Sequence, residues 1–574
     1  KSTAYYRIPV AGGEAKLVTD IAPLIVDKNI SPDGKFLLFD KKVKIQNVTG
    51  KDYYPALDKS EVQIYNDLMY RHWDTWSDGS FNHVFMSNID GTEEIDLLKN
   101  KPFHTPTMPF GGDEDYIWDP RSNRVLYVTK TKTGAAYATS TNTDIFAYDI
   151  FNKTTTNLTT GMMGYDNSPA FSSKGVLAFL SMARDGYEAD KNDIVVDSKY
   201  GRINLTKDWD GTVSSFKWAA DAKNVYFIAP VGGEKHLFVV DYPGKSKKLP
   251  VVRQITKGQF DVTSIVGQKD KTLVVGRTDM NHAKELYTVD LTDGSMKQLT
   301  HANDALYAKI GMSKVEKRMV TTSDNKQMVT WVIYPPNFDP NKKYPTLLYC
   351  QGGPHGALSQ FYSYRWNFQL MAANGYIIVA PNRRGMPGHG VSWNEEISKD
   401  YGGQSMRDYL AAIDDVAKES YVDNDRLGAV GASYGGYSVF YLAGIHEKRF
   451  KSFISHDGIF NWRSMYGTTE EMFFVNWDLG GNYWDTEDAV TQKAFNEFNP
   501  INAVKKWDTP IMIVQGGKDY RVPVGQGLEA FQAAQLQGIK SRLVYIPNEN
   551  HWVLTAQNGL VWQKEFFRWL KETL

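Results

Sequence analysis

Two patterns of apolar and polar positions divide the chain. From residue 1 to about residue 310, the two classes alternate in short runs broken by turn clusters, with almost no sustained 3.6-residue period, which predicts strands and little helix. One turn-then-strand phrase recurs. Ser31-Pro32-Asp33-Gly34 leads into Lys35-Phe36-Leu37-Leu38-Phe39, and Asp119-Pro120-Arg121-Ser122-Asn123 leads into Arg124-Val125-Leu126-Tyr127. Ser172-Ser173-Lys174-Gly175 precedes Val176-Leu177-Ala178-Phe179, and Ala220-Asp221-Ala222-Lys223 precedes Asn224-Val225-Tyr226-Phe227. The last three phrases recur about every 50 residues, and second hairpins such as Asp144–Asp149 and Glu285–Asp290 follow them. Four short strands at that period make one blade of a β-propeller, and five or six blades fit the length. A two-sheet sandwich is the alternative, but it would not repeat its turn chemistry at a near-constant interval. The segment from Ala4 to Val18 reads as a hairpin already under way, so chain preceding residue 1 is expected to help close the ring.

Beyond about residue 312 the period changes. Unbroken apolar strands at Pro345–Tyr349, Tyr376–Ala380 and Ile511–Val514 alternate with helical stretches at Ser405–Lys418, Val524–Gln537 and Val561–Leu570. Strands apolar on both faces, separated by helices, predict a mostly parallel sheet covered on both sides. The expected organisation is an all-β unit over residues 1–311 followed by a doubly wound α/β unit over residues 312–574.

Composition agrees with two cores. The 574 residues exceed what one hydrophobic core supports, and 42% apolar with 23% charged residues is the range of folded globular chains. A formal net charge of -1 gives no global electrostatic reason to bind nucleic acid or an anionic membrane, and no apolar run approaches the length of a membrane span. Cys350 is the only cysteine, which excludes an internal disulfide and cysteine-based metal sites.

The candidate chemistry sits in the second unit. The strand Arg426-Leu427-Gly428-Ala429-Val430 runs into Gly431-Ala432-Ser433-Tyr434-Gly435, and a helical stretch follows from Gly436. This is a nucleophile elbow, in which a sharp strand-to-helix turn lifts a serine clear of the sheet and flanking glycines let strand and helix approach. It points to an α/β-hydrolase. The pentapeptide alone is common, so the assignment depends on an acid and then a histidine in loops after later strands. Three histidines follow the serine. His446 lies at a polar helix end and is expected at the solvated surface; His456 ends a strand too early and is expected to be structural. His551, after the strand Arg542–Ile546, has the position of a general base. The loop after Ile511–Gln515 supplies one carboxylate, Asp519, which would orient the imidazole. The backbone N–H of Tyr434 and one from the glycine-rich loop Gln351-Gly352-Gly353-Pro354, assigned to Gly353, would bind the oxyanion.

These segments, together with Lys518-Asp519-Tyr520-Arg521-Val522-Pro523-Val524 and Glu549-Asn550-His551-Trp552, resemble the prolyl oligopeptidase family over the whole chain. The resemblance implies an N-terminal propeller that filters substrate size, a C-terminal serine peptidase and an active site between them. It implies Ser433, Asp519 and His551 as the triad, Tyr434 and Gly353 as the oxyanion hole, and Arg521 as the group that holds a substrate carbonyl. It further implies no cofactor or metal, peptide substrates, a homodimer and a periplasmic or secreted location. Gln351 and Gln515 stand where many relatives carry histidine, and neither site is one of proton transfer.

Release of dipeptides requires capture of a free amino terminus by a carboxylate. Glu188 in Arg184-Asp185-Gly186-Tyr187-Glu188 is the first candidate and Glu114 the second, each beside an aromatic residue. Trp462 and Tyr466, in the apolar segment Ile459–Tyr466, are assigned to the side-chain specificity pocket. The leading expectation is a serine exopeptidase that releases N-terminal dipeptides through an acyl-enzyme. An acylaminoacyl-peptidase or oligopeptidase on the same scaffold, and a propeller binding protein with an inactive hydrolase, are the competing readings.

Overall fold

A computed structural model of the chain describes residues 6–7, 16–17, 29–246 and 248–574. The expected hairpin at the start is described only where Tyr6–Arg7 pairs antiparallel with Lys16–Leu17; its remaining residues lie outside the described set.

Residues 29 to 298 form five successive groups of four antiparallel strands. Each recurring turn phrase delivers the second strand of a group: Phe36–Lys44, Arg124–Thr129, Leu177–Ser181 and Asn224–Val231. A buried apolar centre explains the shared pattern, since Leu37, Leu38, Val125, Leu126, Ala178, Phe179, Val225 and Phe227 are all nearly inaccessible. Neighbouring groups bury these strands against one another: Leu126 and Val128 cluster with Phe179 and Val195, and Ala178 and Leu180 cluster with Val225 and Phe227. A single parallel bridge, Lys235 to Asp261, links the last two groups. The first group carries a long insertion at residues 45–79. Its two-stranded hairpin, Arg71–His72 with Thr75–Trp76, reaches the second half of the chain.

From Val315 onward the strands build one eight-stranded sheet: β1 Val315–Thr321, β2 Gln327–Ile333, β3 Tyr344–Cys350, β4 Ile377–Pro381, β5 Val422–Ala432, β6 Ser452–His456, β7 Ile511–Gly516 and β8 Ser541–Ile546. The spatial order is β1-β2-β4-β3-β5-β6-β7-β8, antiparallel through β2 and β4 and parallel from β4 onward. Alternate side chains of each central strand enter opposite cores. Leu348, Val379, Ala429, Phe453 and Ile513 pack on one face; Leu347, Ile378, Val430, Ile454 and Met512 pack on the other. Both faces being apolar accounts for the unbroken hydrophobic runs in the sequence. The predicted helices occur as Gln404–Val416, Gly525–Leu536 and Ala556–Thr573. Among the described residues no helix is long and apolar enough to cross a membrane.

The carboxyl ends of β3, β5, β6, β7 and β8 lie on one edge of the sheet. In an open parallel sheet that edge is where loops converge and ligands bind.

Candidate active site

Ser433 follows β5 directly and precedes the helix Tyr434–Ala443. Its backbone has φ 60° and ψ −122°, a conformation rare for a non-glycine residue and consistent with a strained turn. The flanking glycines are required by space. A Cβ at Gly431 would stand 2.6 Å from the Cys350 carbonyl oxygen, and one at Gly435 would stand 2.0 Å from the same oxygen. The Ser433 N–H donates to His456 O at 2.9 Å, which ties the elbow to β6.

Asp519 and His551 come from the loops after β7 and β8. Asp519 Oδ2 and His551 Nδ1 are 2.6 Å apart, while Asp519 Oδ1 accepts from the backbone N–H groups of Arg521 at 3.0 Å and Val522 at 2.9 Å. Both side chains are buried. Burial pushes the Asp519 carboxyl above its ordinary value, opposed by the imidazole beside it. With the carboxylate held by two amides, the imidazole keeps one orientation and its Nε2 is left for a substrate-side proton. Among the described residues the Ser433 hydroxyl makes no hydrogen bond, and in unliganded hydrolytic sites that contact commonly tightens only on binding.

Ser433 opens onto a narrow cleft. Gly353 and Tyr434 line it, as the oxyanion assignment requires, and so do Glu188, Arg521, Glu471 and Asp478. Ile459, Phe474 and Val522 supply its apolar wall. Glu188 comes from the loop between the strands Leu177–Ser181 and Asp193–Ser198, so a residue of the antiparallel half faces the serine of the other half. The preceding Tyr187 fixes that loop by stacking on Trp477, with ring centroids 4.6 Å apart. The Glu188 Oε2 atom is buried without a hydrogen-bond partner. Burial raises its carboxyl above the ordinary glutamate range, with Arg521 opposing and Asp478 adding to the rise.

Arg521 is fixed by a pair of acids that the sequence reading missed. Its Nη2 lies 3.1 Å from Glu470 Oε1 and forms a closer ion pair with Glu471, while its Nε remains without a partner. Glu470 also meets His72 Nδ1 at 3.2 Å, and the Trp73 ring lies against the guanidinium at 4.5 Å. The insertion hairpin is thereby built into the site. Asn550 donates to Asp74 at 2.8 Å and Trp76 Nε1 donates to the Tyr520 hydroxyl at 2.9 Å. Adjacent glutamates at a helix start look ordinary in sequence, and residue 73 is 448 positions from residue 521, so no local signal joined them.

Four assignments need correction. Trp462 is fully buried and packs against Tyr401 and Tyr437 beneath the helix that follows Ser433, so it supports the elbow and does not line the cavity. Tyr466 points elsewhere: its hydroxyl meets Asn476 at 2.7 Å, and it borders a separate pocket with Leu68, Met69 and Trp484. Glu114 is exposed in a short 3-10 turn, Asp113–Asp115, outside the cavity. His446 is buried, 2% exposed, because its ring packs edge-on against Phe453 while Nε2 faces Asp508 at 3.3 Å. His456 is buried at the end of β6 as a structural residue, with its ring between Trp366 and Trp562.

Among the described residues, one group of acids and histidines converges tightly enough to hold a metal ion: Asp457, Asp519 and His551, with donor atoms within 4.8 Å of one another. His551 Nδ1 and Asp519 Oδ2 already bond each other there.

Comparison with known proteins agrees with this geometry. Residues 362–574 match the prolyl oligopeptidase family, and residues 199–329 match the dipeptidyl peptidase IV N-terminal region. A dipeptidyl-peptidase 5 from Porphyromonas gingivalis is 46% identical over 550 residues, covering 95% of this chain and 79% of the relative. The chain belongs to the prolyl oligopeptidase family. A second family member, dipeptidyl-peptidase 5 from Porphyromonas endodontalis, is 45% identical over 98% of this chain and 81% of its own length. Among solved structures, Pyrococcus horikoshii acylaminoacyl peptidase superposes with a TM-score of 0.78 at 19% identity, covering 98% of this chain and 83% of that one. Porphyromonas gingivalis dipeptidyl peptidase 4 superposes with a TM-score of 0.64 at 15% identity, over 95% and 74%. At these identities the structural likeness speaks to fold alone.

Proposed function

We propose that the protein is a serine exopeptidase that releases dipeptides from the amino terminus of oligopeptides. In this reading Ser433 Oγ attacks the second peptide carbonyl while His551 Nε2 takes its proton and Asp519 stabilises the imidazolium. The backbone N–H groups of Tyr434 and Gly353 receive the oxyanion. The C–N bond breaks as His551 returns the proton to the leaving amine, and water then hydrolyses the acyl-enzyme. Arg521, through its unpartnered Nε, would hold the carbonyl of the first residue.

One observation carries the dipeptidyl reading: the unpartnered, buried Glu188 carboxylate oxygen in the same cleft as Ser433. A substrate ammonium would satisfy that oxygen and favour its ionised form, whereas an acylated amino terminus would leave it without a cationic partner. The apolar wall of Ile459, Phe474 and Val522 suits an aliphatic or aromatic second residue. The five strand groups are read as blades of a propeller over residues 1–311 that limits access to a hydrolase over residues 312–574.

The test compares a dipeptidyl fluorogenic amide with its N-acetylated form, alongside active-site labelling by a fluorophosphonate. Faster release from the free amine, with labelling lost in Ser433→Ala, is the expected result. Preference for the acetylated substrate would identify an acylaminoacyl-peptidase, and an unlabelled folded protein would identify an inactive hydrolase.

A further inference from the structure

Parallel-sheet geometry puts β6 between β5, which carries the nucleophile, and β7, which carries the acid loop. A residue leaving the carboxyl end of β6 therefore sits between the elbow and the acid. That residue is Asp457. Its carboxylate is buried, 1% exposed, and its backbone is in the left-handed region with φ 45°. Such a conformation in a non-glycine residue is costly and is retained where surroundings hold it in place. Here the Asp457 N–H donates to Val514 O at 2.9 Å, and Oδ1 accepts the Gly516 N–H at 2.9 Å. Oδ2 has no hydrogen-bond donor of good geometry, although His456 Nε2 lies 3.1 Å away.

An acid in this position bears directly on the triad. Asp457, Asp519 and His551 each bring a donor atom within 4.8 Å of the other two. The charged or titratable groups facing Asp457 are His456 from its own strand, Asp519 and His551 from the loops after β7 and β8, and the Arg365 guanidinium from the segment after β3. Arg365 also donates to His551 O at 3.2 Å, bracing the same loop. Burial opposes the Asp457 charge, yet His456, His551 and the Gly516 amide together hold its carboxyl below the usual range. It is thus a negative charge with an oxygen within 4.8 Å of a ring nitrogen of His551.

We infer that Asp457 is a second carboxylate of the charge relay, a positioning residue that steadies the His551 imidazolium alongside Asp519 and partly replaces Asp519 when that side chain is neutral. The inference rests on the catalytic reading of Ser433 and His551.

The experiment measures kcat/KM against pH for the full chain and for Asp457→Asn, Asp519→Asn and the double variant, each normalised to the concentration of folded protein. Removing a negative charge beside His551 makes its imidazolium less stable, so the acidic limb of Asp457→Asn moves to lower pH and the plateau falls about 10-fold. Asp519→Asn loses about 10⁴-fold. The double variant falls a further 10-fold or more below Asp519→Asn, because the residual activity of the single variant depends on Asp457. An unmoved acidic limb, or a double variant equal to Asp519→Asn, overturns the inference. If Asp457→Asn fails to fold, Asp457→Gly tolerates the same φ and gives the same readout. Full activity in Asp519→Asn with Asp457 intact and also with Asp457 removed would instead reject the triad reading itself.

Discussion

The Arg521 guanidinium rests 4.5 Å from the Trp73 ring, and Trp73 in turn presents its ring edge-on to His551 at 6.2 Å. A residue of the first strand group thus touches both the candidate carbonyl-binding cation and the candidate base. Trp73→Ala should lower kcat/KM for dipeptidyl substrates about 10-fold, the scale of a partly desolvated cation–π contact, while leaving fluorophosphonate labelling intact. An unchanged kcat/KM would remove Trp73 from the substrate site.

Glu188→Gln should raise KM for free-amine substrates with a 10- to 100-fold loss of kcat/KM, the expected cost of exchanging a charge-assisted contact for a neutral one. The N-acetylated substrate should be turned over as well by the variant as by the parent. Equal losses on both substrates would show that Glu188 does not read the amine.

Arg521→Met should be among the most destabilising single changes in the chain. Glu470 and Glu471 are both buried against this guanidinium, and removal of one partner from a buried ionic cluster costs about 3–5 kcal/mol. Urea or thermal unfolding should show that loss, and removing the carboxylate held ionised beside Arg521 with Glu470→Gln in the same chain should recover part of it. No recovery would mean that Glu470 is not the stranded charge.

Asp166, in the strand Asp166–Phe171, gives a pH-dependent prediction. Burial pushes its carboxyl up to about 7, opposed by the hydroxyls of Ser181 and Thr159. The folded state then binds its proton more tightly than the unfolded chain, whose ordinary aspartate value is about 3.9, so stability is full below that value and falls as pH rises through about 7. Asp166→Asn removes this loss, on the order of 3 kcal/mol. The variant should melt close to the parent at pH 4 and several degrees above it at pH 8. A difference independent of pH would show that the carboxyl is not protonated in the fold.

Much of the site was legible because the hydrolase loops follow a fixed strand order. What precedes and follows Ser433, Asp519 and His551 singles each out from a handful of possibilities, and the helices lie within a few residues of their expected bounds because their apolar period is strong. The cavity walls were not legible. Trp462 and Ile459 share one apolar stretch, and only the packing of the helix after Ser433 decides that the indole goes under the elbow while Ile459 faces the substrate. The charged neighbours Glu447, Lys448 and Arg449 predict a solvated His446, yet its ring turns inward against Phe453. The acids that fix Arg521 had no local signature, since their partners come from the other end of the chain.

In the proposed reading, the bond-breaking groups and the candidate amine anchor lie on separate stretches of this polypeptide. Ser433, Asp519 and His551 are within the last 142 residues, whereas Glu188 and Trp73 belong to the strand groups that precede them. A lineage, or an engineer, could therefore exchange the short loop around Glu188 or the hairpin around Trp73 and alter which end of which peptide is accepted, while the hydrolytic machinery is inherited unchanged.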